Sequence, residues 1–123
     1  MKRRVVVTGL GIVSPVGIGL AASWDSIVHG RSGIARVTRI DPEAYASQIA
    51  GEVKGFDVGQ YLPVKEARKM ELFIHYGLAA SMEAMEDSGL KITPEIAERV
   101  GVSIGSGIGG LPGIESEHSV VTE

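Results

Sequence analysis

The chain has 123 residues, 44% of them hydrophobic, and a net charge of −3, which is enough material for one small domain with its own core. No apolar run is long enough to span a membrane, and the run at residues 5–8 is too short for a signal peptide, so we expect a soluble, intracellular protein. The absence of cysteine excludes a disulfide, a thiolate metal site and a cysteine nucleophile among these residues.

Charge is distributed unevenly along the chain. Residues 1–69 carry 10 Lys and Arg against 6 Asp and Glu, whereas residues 70–123 carry 2 against 9. The first part therefore has a charge of +4 and the second a charge of −7. A basic region of this kind suits an acidic partner.

Two structural elements are predicted in the first 30 residues. The β-branched run Val-Val-Val-Thr at residues 5–8 is typical of a central strand covered on both faces. Apolar residues then recur with the spacing of one helix face, before Gly30 ends the helix: Leu20, Trp24, Ile27 and Val28. We expect Trp24 to lie in the core.

Short elements and turns follow, including a possible edge strand at residues 48–53 with Glu52 pointing outward. The pattern is then strongly helical from residue 65 to residue 88 and closes at Gly89. Small side chains within this helix predict close approach of a neighbouring element: Gly77, Ala80, Ser81 and Ala84.

Three cations stand near the start of the predicted long helix. Lys65, Arg68 and Lys69 occupy positions i, i+3 and i+4, so they project from one exposed side. Such a trio is either a solvated face or a docking patch for an acidic partner, and the pattern alone leaves both interpretations open.

The densest glycine run follows a predicted buried strand at residues 100–104. Thr93-Pro94 predicts a short helix before that strand. Gly105, Gly107 and Gly110 fit Gly-x-Gly-x-x-Gly, yet Pro112 and Gly113 are expected to disturb the start of any helix after them. We therefore reject a dinucleotide site here, although residues 111–121 remain a possible helix.

No other motif in the chain predicts a cofactor or metal. Leu111-Pro112 stands where a phosphate-binding P-loop requires Lys-Ser/Thr. Glu115, Glu117 and His118 are expected to be solvated rather than to bind a metal, and His29 and His75 lack a partner pattern for general-base catalysis. The sequence thus predicts no cofactor and no metal site.

Five ordered motifs together resemble the N-terminal part of the β-ketoacyl-[acyl carrier protein] synthases of type II. They are Val5-Val-Val-Thr-Gly-Leu-Gly11, Ser14-Pro15-Val-Gly17, Gly30-Arg-Ser-Gly33, residues 65–70 and Gly105-Ser-Gly-Ile-Gly-Gly110. Ile108 within the last motif favours type II over type I, and polyketide ketosynthases are also similar. The resemblance covers the whole chain.

This resemblance implies an α/β, thiolase-like fold of layered α/β/α/β/α type, built from two halves and usually dimeric, of which residues 1–123 would form most of the N-terminal half. It also implies an acyltransferase of fatty acid biosynthesis in which a cysteine takes the acyl chain from acyl carrier protein. Two histidines then assist decarboxylation and attack by malonyl-loaded carrier. Those three residues lie beyond residue 123 in similar proteins, so we expect this chain alone to be inactive.

Site roles carry over only to matching positions. In similar proteins the residue matching Ile108 lines the acyl-chain pocket near its mouth, which makes Ile108 the predicted substrate-binding residue. Residues matching Lys65, Arg68 and Lys69 dock the acidic carrier protein, and the resemblance implies neither a nucleic acid nor a membrane as partner. Two other functions stay open, a non-catalytic carrier-binding module and a nucleotide-binding α/β domain.

The resemblance also predicts that the chain exposes apolar surface and open strand edges, because the second half that would cover them is not among these residues. We expect poor solubility, or assembly with further segments, as a consequence.

Overall fold

A computed structural model describes residues 2–122, which form two β-hairpins, a 3₁₀ helix and five α-helices. The elements in chain order are β1 (Val13–Ser14), β2 (Gly17–Ile18), α1 (Leu20–Val28), β3 (Ile34–Arg36), β4 (Ile49–Gly51), the 3₁₀ helix (Val58–Gln60), α2 (Val64–Ala67), α3 (Leu72–Ser88), α4 (Pro94–Ala97) and α5 (Leu111–Thr122).

Both hairpins are antiparallel. Val13 pairs with Ile18 in the first, and Ile34 pairs with Gly51 in the second. The edge strand predicted at residues 48–53 is therefore confirmed as β4. Glu52, however, does not point freely outward, because its carboxylate accepts hydrogen bonds from the backbone N–H groups of Thr38 and Arg39.

The two predicted central strands are absent from residues 2–122. Residues 5–8 and 100–104 pair with no strand in the described part of the chain, and Val5 and Val102 are 93% and 84% exposed. A central strand needs a partner on each edge and a layer on each face. These residues supply neither at those positions, so the strand predictions are wrong here, whereas the predicted exposed apolar surface is confirmed.

Helix α1 confirms the predicted helix, and Gly30 follows its end with φ +63°. Its orientation differs from the expectation. The buried side carries Ser23 and Ser26, whereas Trp24 is 63% exposed. Gly17 lets the backbone of Ser23 approach closely, and the Ser23 hydroxyl donates to the Gly17 carbonyl over 3.0 Å. Because α1 docks through its small residues, its apolar stripe faces away from the hairpin.

The predicted single helix from residue 65 to residue 88 is broken into α2 and α3. Tight turns end α2, with the Met70 amide donating to the Ala67 carbonyl over 3.0 Å, and Glu71 is extended before α3 begins. A ring nitrogen of His75 lies 2.9 Å from the same Ala67 carbonyl, so the imidazole joins the two helices across the break. The predicted end at Gly89 is confirmed, with φ +63°.

The two C-terminal helices follow their sequence signals in part. Helix α4 begins at Pro94 after Thr93, as predicted. Helix α5 begins at Leu111, so the expectation that Pro112 and Gly113 disturb a helix start is wrong. Proline is tolerated in the first helical turn because the N–H groups there have no intrahelical partner.

The centre of the fold lies where α3 meets the first hairpin and the segment before it. Ideal Cβ atoms on Gly9 and Gly11 would collide with the backbone carbonyls of Ala84 and Ala80. This confirms the close approach predicted for the small residues of α3. No helix within residues 2–122 is both long and apolar enough to cross a bilayer.

Candidate functional site

The basic cluster, defined as Lys65, Arg68 and Lys69, lies on α2 and the turn that ends it. All three residues are exposed. The Arg68 amide donates to the Val64 carbonyl and the Lys69 amide to the Glu66 carbonyl, so the helical course continues through the turn. The three positions therefore keep the helical spacing predicted for them even though the helix stops at Ala67.

A carboxylate lies inside this cluster, which the sequence interpretation did not take into account. The ammonium group of Lys69 lies 2.9 Å from Oε1 of Glu66. Three cations and one carboxylate leave a net charge of +2 on an exposed surface. An exposed pair of this kind contributes little to stability, so Lys69 can exchange Glu66 for an anion on a partner at small cost.

The glycine loop, defined as residues 105–110, presents Ile108 to solvent. Ile108 is 74% exposed, and no atom lies within 4 Å of the position that a Cβ would take on Gly105 or Gly107. Gly109 has φ +83°, a conformation that side chains with a Cβ rarely adopt. An exposed apolar side chain on a loop of this kind is suited to contact with an apolar ligand.

An apolar cleft of about 350 Å³ opens beside the glycine loop. Its lining consists of Phe73, Ile74, Gly77, Leu78, Ile104, Gly105 and Ser106. Ile108 lies outside these walls, two residues beyond Ser106. A cleft lined by apolar side chains and glycine backbone can accept an alkyl chain, whereas it offers few groups for a polar ligand.

The described residues provide no catalytic constellation of their own. Nδ1 of His29 lies 3.1 Å from the Asp25 carboxylate at the exposed end of α1, and His75 contacts a backbone carbonyl. Glu115, Glu117 and His118 are exposed on α5, as predicted, and residues 2–122 hold no group of three potential metal ligands. The sequence contains no cysteine, so these residues supply no thiol nucleophile.

Two residues that contact the glycine loop were missed by the sequence analysis. The Glu71 side chain lies against Gly110 and Gly113, and the Phe73 ring lies against Gly109. Periodicity carries no signal for such contacts because they join segments more than 35 positions apart in sequence.

Comparison with known proteins gives a consistent result. The family described as "Beta-ketoacyl synthase, N-terminal domain" matches residues 2–122. The chain is 53% identical over 122 residues to the 3-oxoacyl-[acyl-carrier-protein] synthase 2 of Vibrio harveyi, covering 99% of this chain and 29% of that protein. The proteins of that name from Coxiella burnetii and Staphylococcus aureus (strain COL) are 45% and 43% identical, with 98% and 95% of this chain covered and 29% and 28% of each relative. The chain thus spans less than a third of the length of these relatives.

A solved structure also resembles the chain. The ishigamide ketosynthase/chain length factor matches with a TM-score of 0.64 and 34% identity over 74% of this chain and 23% of that one. The thiolase-like fold class is thereby confirmed, although the layered sheet does not form among residues 2–122. Sequence motifs, the family match over nearly every residue and the structural likeness agree that the chain belongs to the β-ketoacyl synthase family, whose N-terminal domain it matches.

Proposed function

We propose that residues 1–123 are the N-terminal portion of a β-ketoacyl-[acyl carrier protein] synthase that elongates acyl chains in fatty acid biosynthesis. The observation that carries this proposal is the 53% identity over 122 residues to a relative named 3-oxoacyl-[acyl-carrier-protein] synthase 2. A polyketide-type ketosynthase is the alternative, and it is less well supported because the ketosynthase/chain length factor is only 34% identical.

The proposed reaction is a decarboxylative Claisen condensation. A cysteine thiolate attacks the thioester of an acyl-loaded carrier, forms an acyl-enzyme and releases the carrier thiol. Malonyl-loaded carrier then loses CO₂, and the resulting carbanion attacks the acyl-enzyme carbonyl, giving a β-ketoacyl thioester and regenerating the thiolate. Residues 1–123 contain no cysteine, so in this proposal they bind and orient, and the nucleophile is supplied from outside them.

The basic cluster is the proposed docking surface for acyl carrier protein, an acidic partner. Its support is the exposure of all three cations and the +4 charge of residues 1–69. Charges at an exposed interface steer association and are screened by salt. Ile108 is the proposed contact for the acyl chain, supported by its exposure on the glycine loop, whose first two residues, Gly105 and Ser106, line the apolar cleft.

The docking proposal is tested by titrating acyl carrier protein into the chain and into a variant with Lys65, Arg68 and Lys69 all changed to Glu. We expect at least a roughly tenfold loss of affinity, and a wild-type affinity that falls as salt rises. Lys2, Arg3 and Arg4 provide a matched control, since changing them to Glu alters the net charge equally. Equal losses of affinity in both variants would show that binding depends on net charge and not on the position of the cations, which would overturn the basic cluster as the docking surface.

The catalytic part of the proposal is tested by the intact mass of the natively expressed protein, with and without a thiol-alkylating reagent. We expect a species far heavier than the 12.9 kDa of this chain, carrying a reactive thiol. A species of 12.9 kDa without the label would instead favour a non-catalytic carrier-binding module.

We also propose that the whole enzyme is a cytoplasmic homodimer, as its resemblance implies. The exposed valines of residues 5–7 and the exposed Val102 and Ile104 support burial against further segments or a second subunit. Sedimentation of the natively expressed protein at a monomer mass would contradict the dimer.

A further inference from the structure

We infer that Glu71 and Phe73 are positioning residues that set the conformation of the glycine loop and, through it, the placement of Ile108. The contacts that carry this inference are independent of the proposed function. Only its consequence for acyl-chain recognition rests on that function.

Glu71 is held firmly at the start of α3. Its carbonyl accepts hydrogen bonds from the amides of Ile74 and His75 over 3.0 and 3.3 Å, so its backbone is fixed to a helix of 17 residues. Its side chain lies across the backbone where the glycine loop enters α5. A Cβ on Gly110 would lie 2.6 Å from Cγ of Glu71, and a Cβ on Gly113 would overlap the carboxylate.

Two effects favour this contact. Glycine at positions 110 and 113 leaves room for the Glu71 side chain to touch the main chain directly. The carboxylate also lies beside the first turn of α5, at the positive end of the helix dipole. Contact and charge therefore hold the loop in the same place.

Phe73 supports the loop one residue earlier. A Cβ on Gly109 would lie 3.2 Å from Cζ of the Phe73 ring, so the ring packs against the peptide that follows Ile108. The ring also lines the 350 Å³ apolar cleft and a smaller cleft of about 180 Å³ next to Tyr76 and Pro112. Phe73 thus lines both clefts and contacts the end of the glycine loop at Gly109.

The other end of the glycine loop lacks comparable support. Gly105 and Gly107 have no atom within 4 Å of a Cβ position, whereas Gly109 and Gly110 are both contacted. Ile108 adjoins the supported end, with one peptide between it and Gly109. The direction of the Ile108 side chain is therefore set by Phe73 and Glu71 rather than by the open residues before it.

The first experiment measures the loop directly, by amide hydrogen exchange at Leu111 and Ile114, whose N–H groups donate to the carbonyls of Gly109 and Gly110. In Glu71→Ala we expect exchange at these amides to be roughly tenfold faster, with α1 and β1 unchanged. Glu71→Gln keeps the contact but not the charge, so its exchange rates should lie between those of the wild type and those of Glu71→Ala. Glu86→Ala, an exposed change on the same helix, is the control, and exchange in Glu71→Ala no faster than in this control would overturn the inference.

A second experiment compares one substitution in two backgrounds and does not depend on one variant folding well. Gly113→Ala should stabilise the chain less while Glu71 is present, because the new methyl group displaces the carboxylate from its contact. In the Glu71→Ala background the same change should raise the melting temperature by more, because alanine is the better helix former within α5 and no carboxylate has to move. Equal shifts in both backgrounds would contradict the contact.

The consequence for recognition is tested by comparing carrier protein loaded with a dodecanoyl group with unloaded carrier. We expect the wild-type chain to prefer the loaded carrier, Glu71→Ala to lose most of that preference, and binding of unloaded carrier to be retained because the basic cluster is intact. Glu71→Gln makes the same charge change but keeps the contact, so it should retain more of the preference than Glu71→Ala does. An equal loss of affinity for both carriers in Glu71→Ala would overturn the positioning role of Glu71. If the wild-type chain showed no preference for the loaded carrier, the proposed function of Ile108 would be overturned instead. The first two experiments would then decide the role of Glu71.

Discussion

The two glycine-rich segments of this chain, residues 9–11 and 105–110, are similar in composition and opposite in environment. Gly9 and Gly11 are pressed against the backbone of α3 at Ala84 and Ala80. In the second segment Gly105 and Gly107 meet open space, and Ile108 between its glycines is exposed. One Gly-x-Gly therefore serves packing, and the other leaves backbone and side chain accessible to a ligand.

Carboxylates on α3 add a second difference between the two glycine-rich segments. Glu83 accepts hydrogen bonds from the amides of Ile12 and Leu20 over 2.8 and 2.5 Å, and Asp87 accepts one from Leu10 over 2.8 Å. Leu20 is the first residue of α1, so Glu83 caps a helix that begins after a glycine without a capping side chain. The early segment is thus fixed by both van der Waals contact and hydrogen bonds. The later one is contacted at its end alone.

The largest expected effect comes from adding one methyl group to the packed segment. Gly11→Ala places a Cβ against the carbonyl of Ala80, a backbone group that cannot rotate away. We expect a loss of about 3 kcal/mol in the free energy of unfolding, since overpacking against a rigid element forces the elements apart. Urea unfolding of the variant and the wild type measures this difference.

Gly107→Ala is the matched control, because the same methyl group there meets nothing within 4 Å. We expect its free energy of unfolding to stay within about 0.5 kcal/mol of the wild type. Equal losses at positions 11 and 107 would abolish the distinction between the two segments.

A smaller effect is expected from removing the carboxylate that holds the early segment. Glu83→Ala leaves the amides of Ile12 and Leu20 without their acceptor in a half-buried site. We expect a loss of about 2 kcal/mol in the free energy of unfolding, because each unpaired amide costs part of its desolvation and water replaces the acceptor only in part.

Glu86→Ala tests whether this loss depends on the position of the carboxylate. Glu86 lies on the same helix as Glu83 and shares with it a separate cleft between α1 and α3, but Glu86 is exposed. The free energy of unfolding of Glu86→Ala, measured in urea, should be close to that of the wild type. A loss as large as that of Glu83→Ala would assign the effect to the charge of α3 rather than to the hydrogen bonds.

Local signals in the sequence predicted the helices better than the strands. Gly30 and Gly89 end helices where expected, and Pro94 begins one, because these signals act through neighbouring backbone groups. The valines at residues 5–7 match the pattern of a buried strand, yet all three are exposed. A sheet is a property of several segments, and residues 2–122 place no partner strand beside this one.

The candidate site was predictable only where it rests on exposed residues. The exposure of Lys65, Arg68 and Lys69 agrees with the sequence interpretation, whereas the roles of these residues and of Ile108 stay proposals. The break between α2 and α3 was missed because apolar periodicity runs through it, and the His75 contact with the Ala67 carbonyl has no local signal. The carboxylates of Glu71 and Glu83 act on distant backbone, where side-chain patterns are uninformative.

The smallest expected effect concerns a third carboxylate that binds backbone amides, Glu52, which lies at the solvent-facing end of the second hairpin. Hydrogen bonds from the Thr38 hydroxyl, then from the backbone amide of Thr38, lower the pKa of Glu52 below its ordinary value of 4.5, and Arg39 adds to the effect.

A lowered pKa in the folded state means that this group stabilises the fold above pH 4.5 and that the contribution is lost as pH falls through the folded-state pKa. Glu52→Gln should therefore lower stability at neutral pH by less than Glu83→Ala does, and its effect should shrink as the pH falls below 4.5 and through the folded-state pKa of Glu52. Urea midpoints followed from neutral to acidic pH measure this, with Glu43→Gln on the neighbouring loop as the control, since the carboxylate of Glu43 makes only a 3.9 Å contact with Arg36. If Glu52→Gln lost as much stability as Glu83→Ala, burial would not set the strength of these carboxylate contacts. The contrast between the two glycine-rich segments would then rest on packing alone.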